Sequence, residues 1–349
     1  MTLPLLLLMS CRSHLLSEFE SHVGSQVGPS DPGCAVLVVK NGETLLEQCA
    51  GVKDLNAKQP ITPRTNFRLA SVTKQFTASA ILLLVSDSVL RLDQQLTEIF
   101  PEFPPYGSTI TIWHLLTHTS GLPDYESLMP DSTSVPVLDH DVLRLLMTRK
   151  ETLFPPGSEF RYSNSGYAIL ALVVERISGM RFADFLKKRI FLPLAMTRTV
   201  AYEKGISTVP DRAFGHSPAE EGAFRETDQS MTSAVLGDGG IYSSLEDLRR
   251  WAEELDHPSV LNSVLVSEAM RAQVQTSNEG ESYGYGWYLD EYAGKSRIRH
   301  SGSTIGFRTE VQRYPDLGLT VVVLANRADV KTTELATALA VAAMNGQSP

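Results

Sequence analysis

The spacing of apolar residues changes period twice along the 349 positions of this chain. Residues 13–28 place apolar side chains at helical intervals. Two apolar runs, 34–40 and 43–50, follow on either side of Asn41-Gly42, the pattern of a hairpin with a two-residue turn. A long run over 71–90 returns to the helical period. Short helical stretches broken by Pro and Gly come next, at 111–118, 139–149, 164–178 and 182–190, and Ser243-Ser244 opens another with a capping pattern. The period then shortens. Residues 283–290, 296–300, 305–313 and 319–326 read as strands, with turns at Ala293-Gly294, Ser301-Gly302-Ser303 and Pro315-Asp316, before a last helix over 331–344.

Strands and flanking helices thus come from both ends of the chain, about 13–80 and 236–349, while the middle, about 81–235, is helical. The expected fold is α/β in the α+β sense: an antiparallel sheet flanked by helices, with a mostly helical subdomain inserted in sequence. The length exceeds that of one ordinary hydrophobic core, so residues 13–349 are expected to form one composite catalytic domain with two packed parts.

The N-terminal residues 1–12 stand apart. Met1 to Met9 is apolar, but too short to span a bilayer and without the basic start of a secretory signal. Leu8-Met9-Ser10-Cys11 resembles a lipoprotein cleavage box, which would make Cys11 a lipidated membrane anchor and the protein extracytoplasmic; a truncated leader or a misplaced start codon reads the same residues equally well and leaves the protein cytoplasmic. Three cysteines are too few for a disulfide framework. In a regular hairpin about Asn41-Gly42, Cys34 and Cys49 fall opposite each other at a hydrogen-bonded pair, where side chains splay; two free thiols are expected before a bridge. The net charge of −9 and the absence of any basic stripe argue against a nucleic-acid partner.

Three short strings carry candidate chemistry. Ser71-Val72-Thr73-Lys74 places a hydroxyl at a helix start, near unpaired N–H groups, with an amine on the same helix face. Alone it means little, since roughly one Ser-x-x-Lys arises by chance in a chain of this length. Tyr162-Ser163-Asn164 offers a phenol able to pass a proton and an amide able to hold an amine and a carbonyl; a helix cap and a packed ring explain the same residues. His300-Ser301-Gly302 puts an imidazole at a strand end, followed by small residues. Two further matches carry less. Gly280-Glu281-Ser282-Tyr283-Gly284 has the letters of a nucleophile elbow without the preceding strand and following helix. His114 and His118 have helical zinc-pair spacing but neither the metalloprotease Glu nor a third ligand, so they read as helix packing, and no metal or cofactor is expected.

Taken in order, the three strings resemble those of the serine β-lactamase and penicillin-binding-protein superfamily, and the Tyr-x-Asn second string resembles its class C branch with D-peptidase and esterase relatives. Residues 67–77, 115–122 and 154–158, Gly239-Gly240 and Tyr285-Gly286-Trp287 strengthen the resemblance, which spans about 15–345. It implies a β-lactamase/transpeptidase-like fold and a serine acyl hydrolase. Ser71 would form the acyl-enzyme, Lys74 and Tyr162 would share the proton work, and Asn164 would orient Lys74 and the acyl group. The N–H groups of Ser71 and Ser303 would make the oxyanion hole, and Ser301 and Gly302 would line the substrate. The third string departs from the Lys-Thr-Gly that class C β-lactamases resemble one another in carrying, because His300 replaces a permanent cation with a ring that is mostly neutral at pH 7. The expected substrates are therefore small esters or D-amino-acid peptides, with β-lactams turned over weakly; a true β-lactamase and a non-turnover penicillin-binding sensor are the alternatives.

Overall fold

The computed structural model describes residues 4–24 and 26–345; residues 1–3 of the leader read from the sequence lie outside them. Its centre is an eight-stranded antiparallel sheet. The strands are β1 (Cys34–Lys40), β2 (Glu43–Ala50), β3 (Val274–Gln275), β4 (Ser282–Tyr283), β5 (Tyr288–Tyr292), β6 (Lys295–Thr304), β7 (Phe307–Tyr314) and β8 (Leu319–Ala325). They lie in the order β3-β4-β5-β6-β7-β8-β1-β2, so the two chain ends meet where β1 pairs β8. The antiparallel α+β reading holds.

The helices that matter here are α1 (Pro4–Phe19), α2 (Lys74–Ser86), α3 (Asp139–Met147), α4 (Asn164–Ser178), α5 (Leu236–Gly239), α6 (Leu245–Asp256) and α7 (Thr332–Asn345). Both faces of the sheet are covered, each with its own apolar core. On the back face Val36, Val38, Val321 and Val323 pack with Leu15, Phe19, Leu335 and Leu339 of α1 and α7. On the front face Ala35, Leu37, Val322 and Leu324 join the helical middle of the chain. α2 and α4 sit at the centre of that front layer, buried from Lys74 to Leu84 and from Ser165 to Val174. A helix apolar on all sides belongs in an interior, and each fully buried Leu, Ile or Val contributes about 1.5–3 kcal/mol. α4 ends at Gly179, whose φ of 68° terminates it in the left-handed region.

Two expectations change. Asn41 and Gly42 form the predicted turn, with φ of 50° and 78°. One extra residue in β2 then shifts the ladder: Val39 pairs Thr44, but Val38 pairs Leu46. Cys34 therefore faces Ala50, and Cys49 faces Ala35. A one-residue slip exchanges sheet faces, so Cys34 joins the back core and Cys49 the front, and neither is bridged. Cys11 is also buried, inside α1 among back-face side chains. The second change is at Ser301-Gly302-Ser303, which is not a turn: β6 runs on to Thr304 and reverses at Ile305-Gly306.

Candidate active site

Ser71 lies in a single 3-10 turn, Ala70–Thr73, that feeds directly into α2. The entry is bent sharply, with Ala70 at a φ of 48°, a region that a β-carbon disfavours. Four hydrogen bonds hold the bend. Arg68 donates from Nε to the Gly239 carbonyl at 3.2 Å and from Nη2 to the Ser233 carbonyl at 2.8 Å. The Leu69 N–H donates to the Ile241 carbonyl at 2.8 Å, and Thr309 of β7 donates to the Leu69 carbonyl at 2.7 Å.

β6 passes directly behind this bend. A β-carbon on Gly302 would collide with the Leu69 carbonyl and with Thr309 Oγ1, so a glycine here lets the strand reach the nucleophile turn. β5 pairs only residues 295–299 of β6, and residues 300–304 pair β7 alone. One long edge of β6 is therefore open beside Ser71. In a hairpin closed by Thr304 and Phe307, alternation turns the Ser303 N–H and C=O away from β7 and onto that edge. Ser301 and Ser303 are both exposed, while Gly302 is packed inward. Ser71, Ser303, Asn164, Glu126 and Asp238 line one cleft.

Lys74 is the buried centre of the site, with no exposed surface. Its Nζ is 3.2 Å from Ser71 Oγ, 2.9 Å from Asn164 Oδ1 and 3.0 Å from the Asp238 carbonyl. Burial drives its pKa down to about 8, against the opposing pull of Asp238, Asp124 and Glu126. The Tyr162 ring stands 4.9 Å from the amine, with its hydroxyl on the side of Ser71; burial pushes that phenol well up, so it holds its proton. Asn164 is placed by its own N–H, which donates to Asp124 Oδ2 at 2.8 Å as α4 begins. Asp238 belongs to α5, which packs so tightly on α4 that a β-carbon at Gly237 would strike the Tyr167 carbonyl. Burial raises the Asp238 carboxyl to about 6, countered by Lys74 and Arg68, and Tyr125 donates to it at 3.2 Å.

Ser71, Lys74, Tyr162, Asn164 and Ser303 thus converge. His300 lies one layer deeper, 2% exposed, with its ring 6.2 Å from Tyr162. Its Nδ1 is 2.7 Å from the Ser301 carbonyl and its Nε2 is 3.2 Å from the Tyr283 hydroxyl. Burial and the neighbouring Lys74 push its pKa down to about 3, so the ring is neutral.

This sequence and this fold match known proteins. A family model described as Beta-lactamase matches residues 25–344. The chain belongs to that family. Penicillin-binding protein 4* of Bacillus subtilis (strain 168) is 34% identical over 312 residues, covering 84% of this chain and 67% of its own length. The D-aminopeptidase of Brucella canis is 31% identical over 307 residues, again 84% of this chain but only 56% of its own, so this chain spans little more than half of that relative. The octameric penicillin-binding protein homologue from Pyrococcus abyssi superposes with a TM-score of 0.82 at 25% identity, covering 97% of this chain and 77% of that one. The resemblance drawn from the three strings holds.

The site also contains residues that the strings did not mark. Asp124, Tyr125 and Glu126 belong to no motif, and the Asp238 carbonyl carries no sequence signal because it is a backbone oxygen. His118 was read as helix packing with His114. It lies beyond the end of that short helix, at a φ of 57°, and stacks on Tyr162 with ring centroids 4.2 Å apart. His114 does serve the helix, its Nδ1 accepting from the Thr111 N–H at 3.0 Å. Ser282 of the elbow-like string is a strand residue whose Oγ accepts from Gln275.

Proposed function

We propose that this protein is a serine acyl hydrolase acting through a Ser71 acyl-enzyme, on D-amino-acid peptides or amides and on small esters. The geometry around Lys74 carries this reading. A neutral amine has two N–H donors and one lone pair. Asn164 Oδ1 and the Asp238 carbonyl can only accept, so they take both donors, and the lone pair is left for the hydroxyl of Ser71. With its pKa near 8, the amine lies only about one unit from neutrality at pH 7, a cost of about 1.4 kcal/mol.

The steps follow from position. Lys74 takes the Ser71 proton as Oγ attacks the carbonyl carbon. The developing oxyanion meets the N–H groups of Ser71 and Ser303, aided by the start of α2. Tyr162, beside Ser71, gives its own proton to the leaving amine or alcohol and is reprotonated by the Lys74 ammonium, which returns to its neutral form. Water repeats the sequence on the acyl-enzyme, and Ser71 is regenerated. Asn164 keeps the amine aimed and faces the acyl group.

The names of the relatives, a penicillin-binding protein and a D-aminopeptidase, support substrates of this class. The neutral His300 favours them over β-lactams, because it stands where the class C Lys-Thr-Gly string carries its lysine. A β-lactamase is the second reading, favoured by the family itself. A panel of p-nitrophenyl esters, D-alanyl peptides and amides, and nitrocefin on one sample tests the choice. Nitrocefin turned over far faster than the rest would reverse the ranking. Stoichiometric labelling of Ser71 by a fluorophosphonate without turnover of any substrate would indicate a sensor. Anchoring through Cys11 belongs to the same proposal; a lipidated Cys11 would have to leave its buried place in α1, and the intact mass of membrane-extracted protein reads the added acyl groups.

A further inference from the structure

Behind Tyr162 a file of buried groups joins the second string to the third. The Ser163 N–H points at His118 Nδ1 at 3.2 Å. A backbone N–H only donates, so Nδ1 is the unprotonated nitrogen and a neutral His118 carries its proton on Nε2. That Nε2 faces the Tyr283 hydroxyl at 3.2 Å. At the other end, His300 Nδ1 faces the Ser301 carbonyl at 2.7 Å. A carbonyl only accepts, so this nitrogen is the protonated one, and the Nε2 lone pair faces the same Tyr283 hydroxyl at 3.2 Å. Tyr167 also touches Tyr283, but its hydroxyl donates to the Leu116 carbonyl at 3.0 Å. The imidazole lone pair is the stronger acceptor, so Tyr283 accepts from His118 and donates to His300. Each proton then has one place, and both rings must be neutral. Burial and Lys74 depress both histidines in the same direction.

We propose that His118 and Tyr283 are positioning residues, which through this chain of hydrogen bonds lock the Tyr162 ring against Ser71 and the β6 edge against the cleft. Their hydrogen bonds go to each other, to Ser163 and to His300 rather than to the reacting groups. His118 acts by stacking on Tyr162 while holding the adjoining Ser163 N–H, and Tyr283 acts by fixing the orientation of both imidazoles. The Ser301 carbonyl, drawn to His300 Nδ1, adjoins the residues that face substrate. The functional consequence concerns the leaving group. A displaced Tyr162 fails at proton delivery, which an amide needs and a p-nitrophenolate does not.

This rests on the acyl-hydrolase reading, so the test has two arms. In the first, 15N-histidine NMR of the whole protein at pH 7 reads the tautomers without substrate, with His118 and His300 assigned from His118→Asn and His300→Asn. His118 protonated at Nε2 and His300 at Nδ1 is expected; either ring reversed or cationic overturns the proposal. In the second, Tyr283→Phe keeps the ring and removes the hydroxyl. Its kcat on a D-amino-acid amide should fall at least tenfold more than its kcat on the p-nitrophenyl ester, with KM changed less than about threefold, and Tyr162→Phe should shift the same ratio. An equal loss on both substrates would mark a general structural defect and overturn the positioning role. A wild-type protein that turns over neither substrate would sink the proposed function, and the tautomers would still decide the chain.

Discussion

Two buried polar clusters lie on opposite faces of the same strands, and only one is a site. On the front, Lys74, Asn164, Tyr162 and the His118–Tyr283–His300 file surround Ser71. On the back, Glu310 and Gln312 of β7 meet Thr333 and Thr337 of α7. Thr333 donates to Glu310 Oε2 at 2.8 Å, and Gln312 Nε2 donates to Glu310 Oε1 at 3.2 Å and to Thr337 Oγ1 at 3.1 Å. Both clusters hold a titratable group displaced by burial, since the Glu310 carboxyl is raised as Lys74 is lowered. Perturbed titration alone does not mark function. The difference lies in access and in unspent capacity. In the back cluster Glu310 and Gln312 are buried beneath α7, and the donors are spent on one another. The front cluster opens on a cleft, leaves the β6 edge unpaired, and holds Ala70 and His118 in left-handed backbone. Strain and open hydrogen-bonding groups at one place are what a packed helix pair would not retain without another purpose.

The largest expected break falls on the front. Lys74→Ala should leave a folded protein with kcat/KM reduced about 10³-fold, within the range for losing a general base. Residual activity within tenfold of wild type would remove Lys74 from the proton path. The same amine sets the pH dependence. Folding lowers its pKa from 10.5 to about 8, so the unreactive protonated form dominates below about 8. kcat/KM should therefore rise about tenfold per pH unit toward 8 and level off above it. A profile already flat from pH 6 upward would show that proton removal does not depend on this lysine.

Gly302→Ala should come next. Its β-carbon would meet the Leu69 carbonyl and Thr309 Oγ1, neither at the end of a long side chain, so β6 and the nucleophile turn must separate. Overpacking of this kind costs about 1–3 kcal/mol, and here it also displaces the Ser303 N–H. Thermal unfolding and ester turnover should fall together; a variant as stable and active as wild type would mean that the close approach is not needed.

This glycine also shows where the sequence stops being legible. Ser301-Gly302-Ser303 has the letters of a turn, and the strand runs straight through them, because the glycine answers a neighbour 233 positions earlier (302 − 69) rather than its own backbone. Asn41-Gly42 was legible because its left-handed conformation is local. The hairpin beyond it was not, since the bulge at Leu45 leaves no composition signal and reverses the faces of Cys34 and Cys49. Ser71 and Lys74 could be paired from spacing alone, because three residues make about one helical turn. Asp238, which holds Lys74 through its carbonyl, and His118, which packs on Tyr162 from past a helix end, come from remote segments, and only the folded chain brings them in.

The smallest expected effect on turnover belongs to the back face and tests the comparison directly. Thr333→Val removes the donor to Glu310 Oε2 while keeping the side-chain shape. Glu310 would then be buried with one bond fewer, which costs about 1–3 kcal/mol of stability. None of the lost contact reaches β6 residues 300–304, since Glu310 and Gln312 project to the face opposite Thr309. Chemical denaturation should show the loss, while kcat and KM on the ester stay within about twofold of wild type. If turnover falls in step with stability, the two clusters are coupled through β7, and the back network would have to be counted as part of what holds the Ser71 turn in place.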